Sequence, residues 1–176
     1  MEQRVFEPLA MRDSSFFTNS AKIDRIPTMY TDHTDQNGHL VNDVMDVTRP
    51  GQKYPAPEFG LFSTAENLWH FCQMMLNRGS WQGRTILSPK LIVEMIRPEM
   101  PTSLPKYYSG LGWAVHPKEA AEMNYAVTEE SHGANGVSGG IVWIDPRLEL
   151  IRIYLTHHFG GDFTDADPVM NAALPG

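Results

Sequence analysis

Side chains able to do chemistry gather at several places along this 176-residue chain. His33 and His39 share a polar segment with Asp32, Asp35, Asp43 and Asp46. Imidazole and carboxylate together could hold a divalent cation, but such sites draw on compact ligand spacings, and none occurs here. The segment reads as a solvated loop, and neither a metal nor another cofactor is expected. Ser138 comes soon after His132, a pairing that could activate a hydroxyl. It lacks the Gly-x-Ser-x-Gly turn that presents a nucleophile above a sheet, and nearness in sequence does not set attack geometry. His157 and His158 would point to opposite faces of a strand, which disfavours shared coordination. Cys72 is the only cysteine, so neither an intrachain disulfide nor a cysteine metal cluster can form. Its apolar helical setting makes it a packed thiol, and His70 beside it reads as a surface or satisfied structural histidine.

The elements that must position these groups are organised around Ser131 to Phe159. Gly133, Gly136, Gly139 and Gly140 lead into two β-branched and aromatic runs, Ile141 to Ile144 and Leu148 to Thr156. Asp145-Pro146-Arg147 between them predicts a turn and so a buried β-hairpin. Leu61 to Gly79 is a helix with a Ser63 to Glu66 capping box, an apolar face of Leu68, Phe71, Cys72, Met75 and Leu76, and Gly79 as its stop. Ser88-Pro89 caps a second helix that runs to Pro98. Gly110 to His116 predicts an inner strand, because Leu111, Trp113 and Val115 alternate with small residues. Val5 to Met11 reads as a helix end entering an apolar loop at Pro8. Asn37-Gly38 suits a tight turn, Tyr125 to Thr128 a further strand, and Asp165 to Leu174 a short final helix. No repeat, low-complexity tract or domain boundary interrupts the sequence, so the reading is one α+β unit over residues 1–176.

A formal charge of −7 opposes attraction to polyanions, which argues against nucleic acid and anionic membrane partners. No run approaches the roughly 20 apolar residues that cross a bilayer. Nor does Met1-Glu2-Gln3-Arg4 lead into an apolar signal region, so a cytoplasmic location is expected if the chain is made as it stands.

Taken in order, several stretches resemble the C-terminal part of the serine beta-lactamase and penicillin-binding protein superfamily, nearest to its beta-lactamase-related esterases. Val5 to Phe16 is similar to the family's Phe-x-Pro-Leu-Gly-Met segment, with Ala10 at the usual glycine. Gly60 to Leu68 resembles the Gly-Leu-x-Ser-Thr-Ala helix entrance, and Leu87-Ser88-Pro89 fits the family's next segment. Tyr108 to Trp113 looks like the Tyr-Gly-Leu-Gly-Trp strand, and Ser131 to Pro146 the stretch around the third catalytic motif. That motif is Lys-Thr-Gly in beta-lactamases and commonly His-x-Gly in the esterases; His132-Gly133-Ala134 stands there, with Ala134 departing from Gly. The resemblance implies that His132, Gly133 and Ala134 line an acyl-binding cleft. It also implies that the Asn135 N–H contributes to an oxyanion hole, where a donor stabilises charge developing on a carbonyl oxygen.

The family's chemistry also needs a Ser-x-x-Lys nucleophile and a tyrosine element, both ahead of the region this chain resembles. Ser103-Leu104-Pro105-Lys106, with Tyr107 next to it, matches the spacing literally. Pro105, with Pro98 and Pro101 nearby, opposes the helix that would bring such a lysine to its serine. No convincing catalytic residue is therefore assigned. The sequence reads as a partial beta-lactamase-like fold, with an antiparallel sheet from the C-terminal strands packed with helices. The implied function is ester or amide acyl transfer to water in the complete family, with this chain inactive alone. The competing reading is a stand-alone, noncatalytic binding or assembly module on the same scaffold. In the family, N-terminal strands lie beside the final one, so the edge of Leu148 to Thr156 is expected to be covered by a homodimer partner or a separate N-terminal fragment.

Overall fold

The computed structural model describes residues 1–16, 22–27, 30–31, 60–98, 110–115, 127–136 and 138–159. In chain order its regular elements are β1 (Tyr30–Thr31), α1 (Ala65–Leu76), β2 (Ser80–Trp81), β3 (Arg84–Thr85), α2 (Pro89–Met95), β4 (His132–Asn135), β5 (Ile141–Asp145), β6 (Leu150–Tyr154) and β7 (His158–Phe159). Short 3-10 turns occupy Glu2–Arg4 and Ile23–Arg25. The architecture is α+β.

The hairpin expected from the two apolar runs is β5 and β6, paired antiparallel, with β4 on the other side of β5. Asp145 closes its turn: the carboxylate accepts the Leu148 N–H at 3.1 Å and the Thr128 N–H and hydroxyl at 2.8 Å each. This capture of Leu148 and a left-handed Glu149, φ 51°, delay the second strand, which begins at Leu150 rather than Leu148. Side chains alternate across the sheet. Val142, Ile144, Ile151 and Ile153 face α1 and join its core, while Ile141, Trp143, Asp145 and Arg152 lie on the opposite face, all buried.

Helix α1 is shorter than its sequence pattern and starts one residue later than the expected cap. Thr64, not Ser63, is the N-cap; its hydroxyl accepts the Asn67 N–H at 3.2 Å and the Asn67 side-chain amide at 2.9 Å. Ser63 is drawn instead to Ser14, with the two hydroxyls 2.8 Å apart. At the far end, the Gly79 N–H reaches the Met74 carbonyl and the Arg78 N–H the Met75 carbonyl. That pair of bonds is a Schellman closure, with Arg78 at φ 53° and Gly79 at φ 95°. A Cβ at Gly79 would stand 2.1 Å from the Leu87 carbonyl oxygen, so glycine is required there for approach as well as for φ.

The N-terminal segment docks on α1. It is wound into successive turns rather than an α-helix, with Phe6, Leu9 and Met11 buried. Asn67 Oδ1 accepts the Asp13 N–H at 3.0 Å, and Ser15 exchanges main-chain bonds with Phe62. Asp13 in turn holds Lys22 at 2.9 Å and Arg25 at 2.8 Å.

The Ser88-Pro89 start of α2 is as expected, the Ser88 hydroxyl accepting the Leu91 N–H at 3.2 Å. Between the helices the sequence conceals a hairpin, β2 to β3, whose turn residues Gln82 and Gly83 both have positive φ. That is the geometry of a type I′ turn. Gly110 to His116 is corrected: the chain bends at Gly112, φ 78°, and within 110–115 only Ala114 pairs with a strand, at Gly133. The Asn37-Gly38 turn, most of the strand expected at Tyr125 to Thr128 and the helix expected at Asp165 to Leu174 lie outside the described residues.

Candidate functional site

β4 carries every residue singled out at the third-motif position. Gly133 gives both its main-chain groups to Ala114, donating at 3.0 Å and accepting at 2.9 Å. Antiparallel partners alternate in direction, so His132 and Ala134 turn their main chains to β5, and Asn135 directs its N–H to the Ala114 edge with Gly133. The same alternation sends the His132 and Ala134 side chains to the α1 face, opposite Ile144 and Val142.

His132 is 2% exposed. Trp113 packs on it edge to face at 5.3 Å and 81°, and stacks in turn on Phe71 of α1 at 6.3 Å. Neither ring nitrogen completes a hydrogen bond by distance and angle among the described residues, and the Glu130 main chain lies near enough to favour the protonated ring. Burial pulls the imidazole from its ordinary 6.5 to about 4, against the opposing pull of the Glu130 backbone and Asp145. The ring is therefore neutral at neutral pH, with one nitrogen able to donate and the other to accept.

Gly133 is needed for its neighbour. A Cβ there would fall 2.4 Å from Trp143 Cδ2 and 2.5 Å from the Val142 carbonyl oxygen. The indole thus lies flat against the strand that holds the motif, a fit that depends on the pairing register and is not visible in the order of residues. Nor does the order of residues mark Trp113 as the cover of His132; its place directly after Gly112 is the one local hint.

The other candidates are dispersed. His70 Nδ1 donates to the Leu9 carbonyl at 2.9 Å, a structural role. Cys72 is buried in the core. His157 bonds the Pro27 carbonyl at 2.7 Å and lies between β6 and β7 rather than within a strand. Ser103, Lys106, Tyr107, His33 and His39 fall outside the described residues. Among the described residues no group of three His, Cys, Asp or Glu side chains could hold a metal ion, and no helix is long and apolar enough to cross a membrane.

The family model of beta-lactamase matches residues 1–174. An uncharacterised protein and Protein Rv1367c, from two Mycobacterium tuberculosis strains, are similar to this chain, each 29% identical over 175 residues, covering 90% of this chain and 42% of theirs. Among solved structures, EstCE1, a hydrolase with promiscuous acyltransferase activity, has a TM-score of 0.68 at 18% identity, over 96% of this chain and 48% of its own. A penicillin-binding protein homologue from Caulobacter crescentus has a TM-score of 0.68 at 19% identity, over 98% and 50%. Simvastatin synthase from Aspergillus terreus has 0.59 at 16%, over 89% and 44%. These structures share the fold, and the chain spans about half the length of the proteins it matches. With the family model covering nearly all of its residues, the chain belongs to the beta-lactamase family.

Proposed function

We propose that this chain supplies the carbonyl-binding wall of a serine acyl-transfer site and does not complete the reaction alone. In the full reaction a serine oxygen attacks an ester or amide carbonyl, the alcohol or amine departs, and water then releases the acid from the acyl-serine. Negative charge appears on the carbonyl oxygen during attack. The Asn135 N–H, on the Ala114 side of β4, is the donor that the family resemblance assigns to it; losing one donor of this kind costs about 2.7 to 4 kcal/mol of transition-state stabilisation. His132, Gly133 and Ala134 form the adjoining wall.

The observation that carries this reading is the buried His132 imidazole at the third-motif position, whose ring nitrogens complete no hydrogen bond by distance and angle among the described residues and have only the Glu130 main chain near them. Leaving a buried polar group unsatisfied costs about 1 to 3 kcal/mol. A strand that keeps an imidazole in that state is suited to polar groups brought by a nucleophile-bearing segment, the part of the chemistry for which this sequence has no convincing match.

Turnover of a p-nitrophenyl ester and a chromogenic cephalosporin tests the proposal. The purified chain should hydrolyse neither, and mixing it with the nucleophile-bearing segment of a relative should restore one activity. Turnover by the chain alone overturns the proposal, and silence in the mixture as well favours a noncatalytic binding or assembly module.

A further inference from the structure

An imidazole turns readily about the bond to its ring, because that torsion joins an sp³ to an sp² carbon and has broad wells. A functional histidine is commonly steadied by a hydrogen bond at one ring nitrogen. His132 completes no such bond by distance and angle among the described residues, so its orientation falls to the groups packed on it.

The pairing register shows which group that is. Ala114 and Gly133 exchange both main-chain bonds, which makes Trp113 and His132 diagonal neighbours on one face, within reach of an aromatic side chain. Ala134, the residue this register sets across from Trp113, carries only a methyl group and leaves the indole room to lean over. Indole and imidazole meet edge to face, with centroids 5.3 Å apart and planes at 81°. Phe71 of α1 stacks on the same indole, nearly parallel at 3° and 6.3 Å. Trp113 is itself well fixed: it is buried, its carbonyl accepts the Gly110 N–H at 2.9 Å, and the next residue is the one paired with Gly133. Phe71, Trp113 and His132 thus form a continuous row of rings from the helix to the motif strand. Edge-to-face and offset-stacked contacts are the arrangements that ring quadrupoles favour, so the row selects an orientation as well as filling space.

We propose that Trp113, backed by Phe71, is the positioning residue of His132 and holds the imidazole in one rotamer through ring contact in place of a hydrogen bond. That this orientation serves acyl transfer rests on the function proposed above. The positioning itself does not.

The test is NMR on the whole purified chain with labelled histidine, the His132 signals being those absent from His132→Phe. Three-bond couplings from Hα to the two Hβ atoms report the rotamer. The native chain should show the couplings of one staggered rotamer, Trp113→Leu should move them to averaged intermediate values, and Trp113→Phe should keep the native ones. A residue that only fills the core would lower stability in both variants and leave the couplings native. Phe71→Leu, which keeps Trp113 and removes its backing, should average them too, and it decides the matter where Trp113→Leu does not fold. Native couplings in a folded Trp113→Leu or in Phe71→Leu overturn the proposal, as do averaged couplings in the native chain or in Trp113→Phe. Because the couplings are read on this chain alone, a mixture with a nucleophile-bearing segment that stays silent counts against the acyl-transfer reading and not against this one.

Discussion

The Trp143 indole rests on the bare main chain of Gly133, so close that a Cβ at residue 133 would meet Cδ2 at 2.4 Å. Gly133→Ala forces β4 and β5 apart, because the Val142 carbonyl oxygen at 2.5 Å blocks the other way out. Overpacking of this kind costs about 3 kcal/mol, to be read as a lowered urea midpoint at unchanged slope. Combined with Trp143→Leu, the loss should be smaller than the sum of the separate losses, since the sites share the contact.

Ala10 holds φ 54° on the exposed side of the docked N-terminal segment. An L-residue pays about 1 to 2 kcal/mol there, partly offset because glycine gives the unfolded chain more freedom. Ala10→Gly should therefore stabilise the protein by about 0.5 to 1 kcal/mol in the same urea titration. A loss of stability would contradict the assigned backbone geometry.

His132 makes stability depend on pH in a definite window. Its folded pKa is about 4 against an ordinary 6.5, so between those values the unfolded chain binds the extra proton. Stability is undiminished above 6.5, falls as pH drops toward 4, and loses on the order of 3 kcal/mol in all. His132→Phe, which keeps a ring against Trp113, should flatten the fall. Asp13 acts in a lower range: hydrogen bonds from Arg25 and Lys22 hold its carboxyl well below the usual 3.8. Its contribution is present above 3.8 and is lost only as pH falls further.

Burial pushes the Cys72 thiol up to about 12. The thiolate is the reactive form, so a disulfide reagent such as DTNB should label the native chain only as fast as it opens, and label it at once in urea. Immediate labelling without denaturant would contradict the packing of α1.

Much of this arrangement is legible in the residues because local chemistry and tertiary context agree. Ser88-Pro89 can open a helix only on its C-terminal side, and the β-branched runs flanking Asp145-Pro146 leave little besides a hairpin. Where two residues qualify locally, a distant contact decides: Ser63 and Thr64 are both good caps, and Ser14 claims the former. The β2 to β3 hairpin escapes notice because Gln82 is an unusual occupant of a left-handed position. At the candidate site the motif strand is readable from its glycines and the residues after them. Its surroundings are not, since the Trp113 cover and the Trp143 seat come from partners that only pairing register brings together. Arg152 within an apolar run looks like a strand's solvent side, and burial reveals it as a charge with donors unmet among the described residues.

Most direct for the proposed division of labour is intact mass after treating the purified chain with a serine-directed fluorophosphonate. No adduct should form, because the site proposed at His132 to Asn135 would receive a charged carbonyl oxygen and supplies no activated hydroxyl. A stoichiometric adduct mapped to one serine of this chain would show that the nucleophile is present after all.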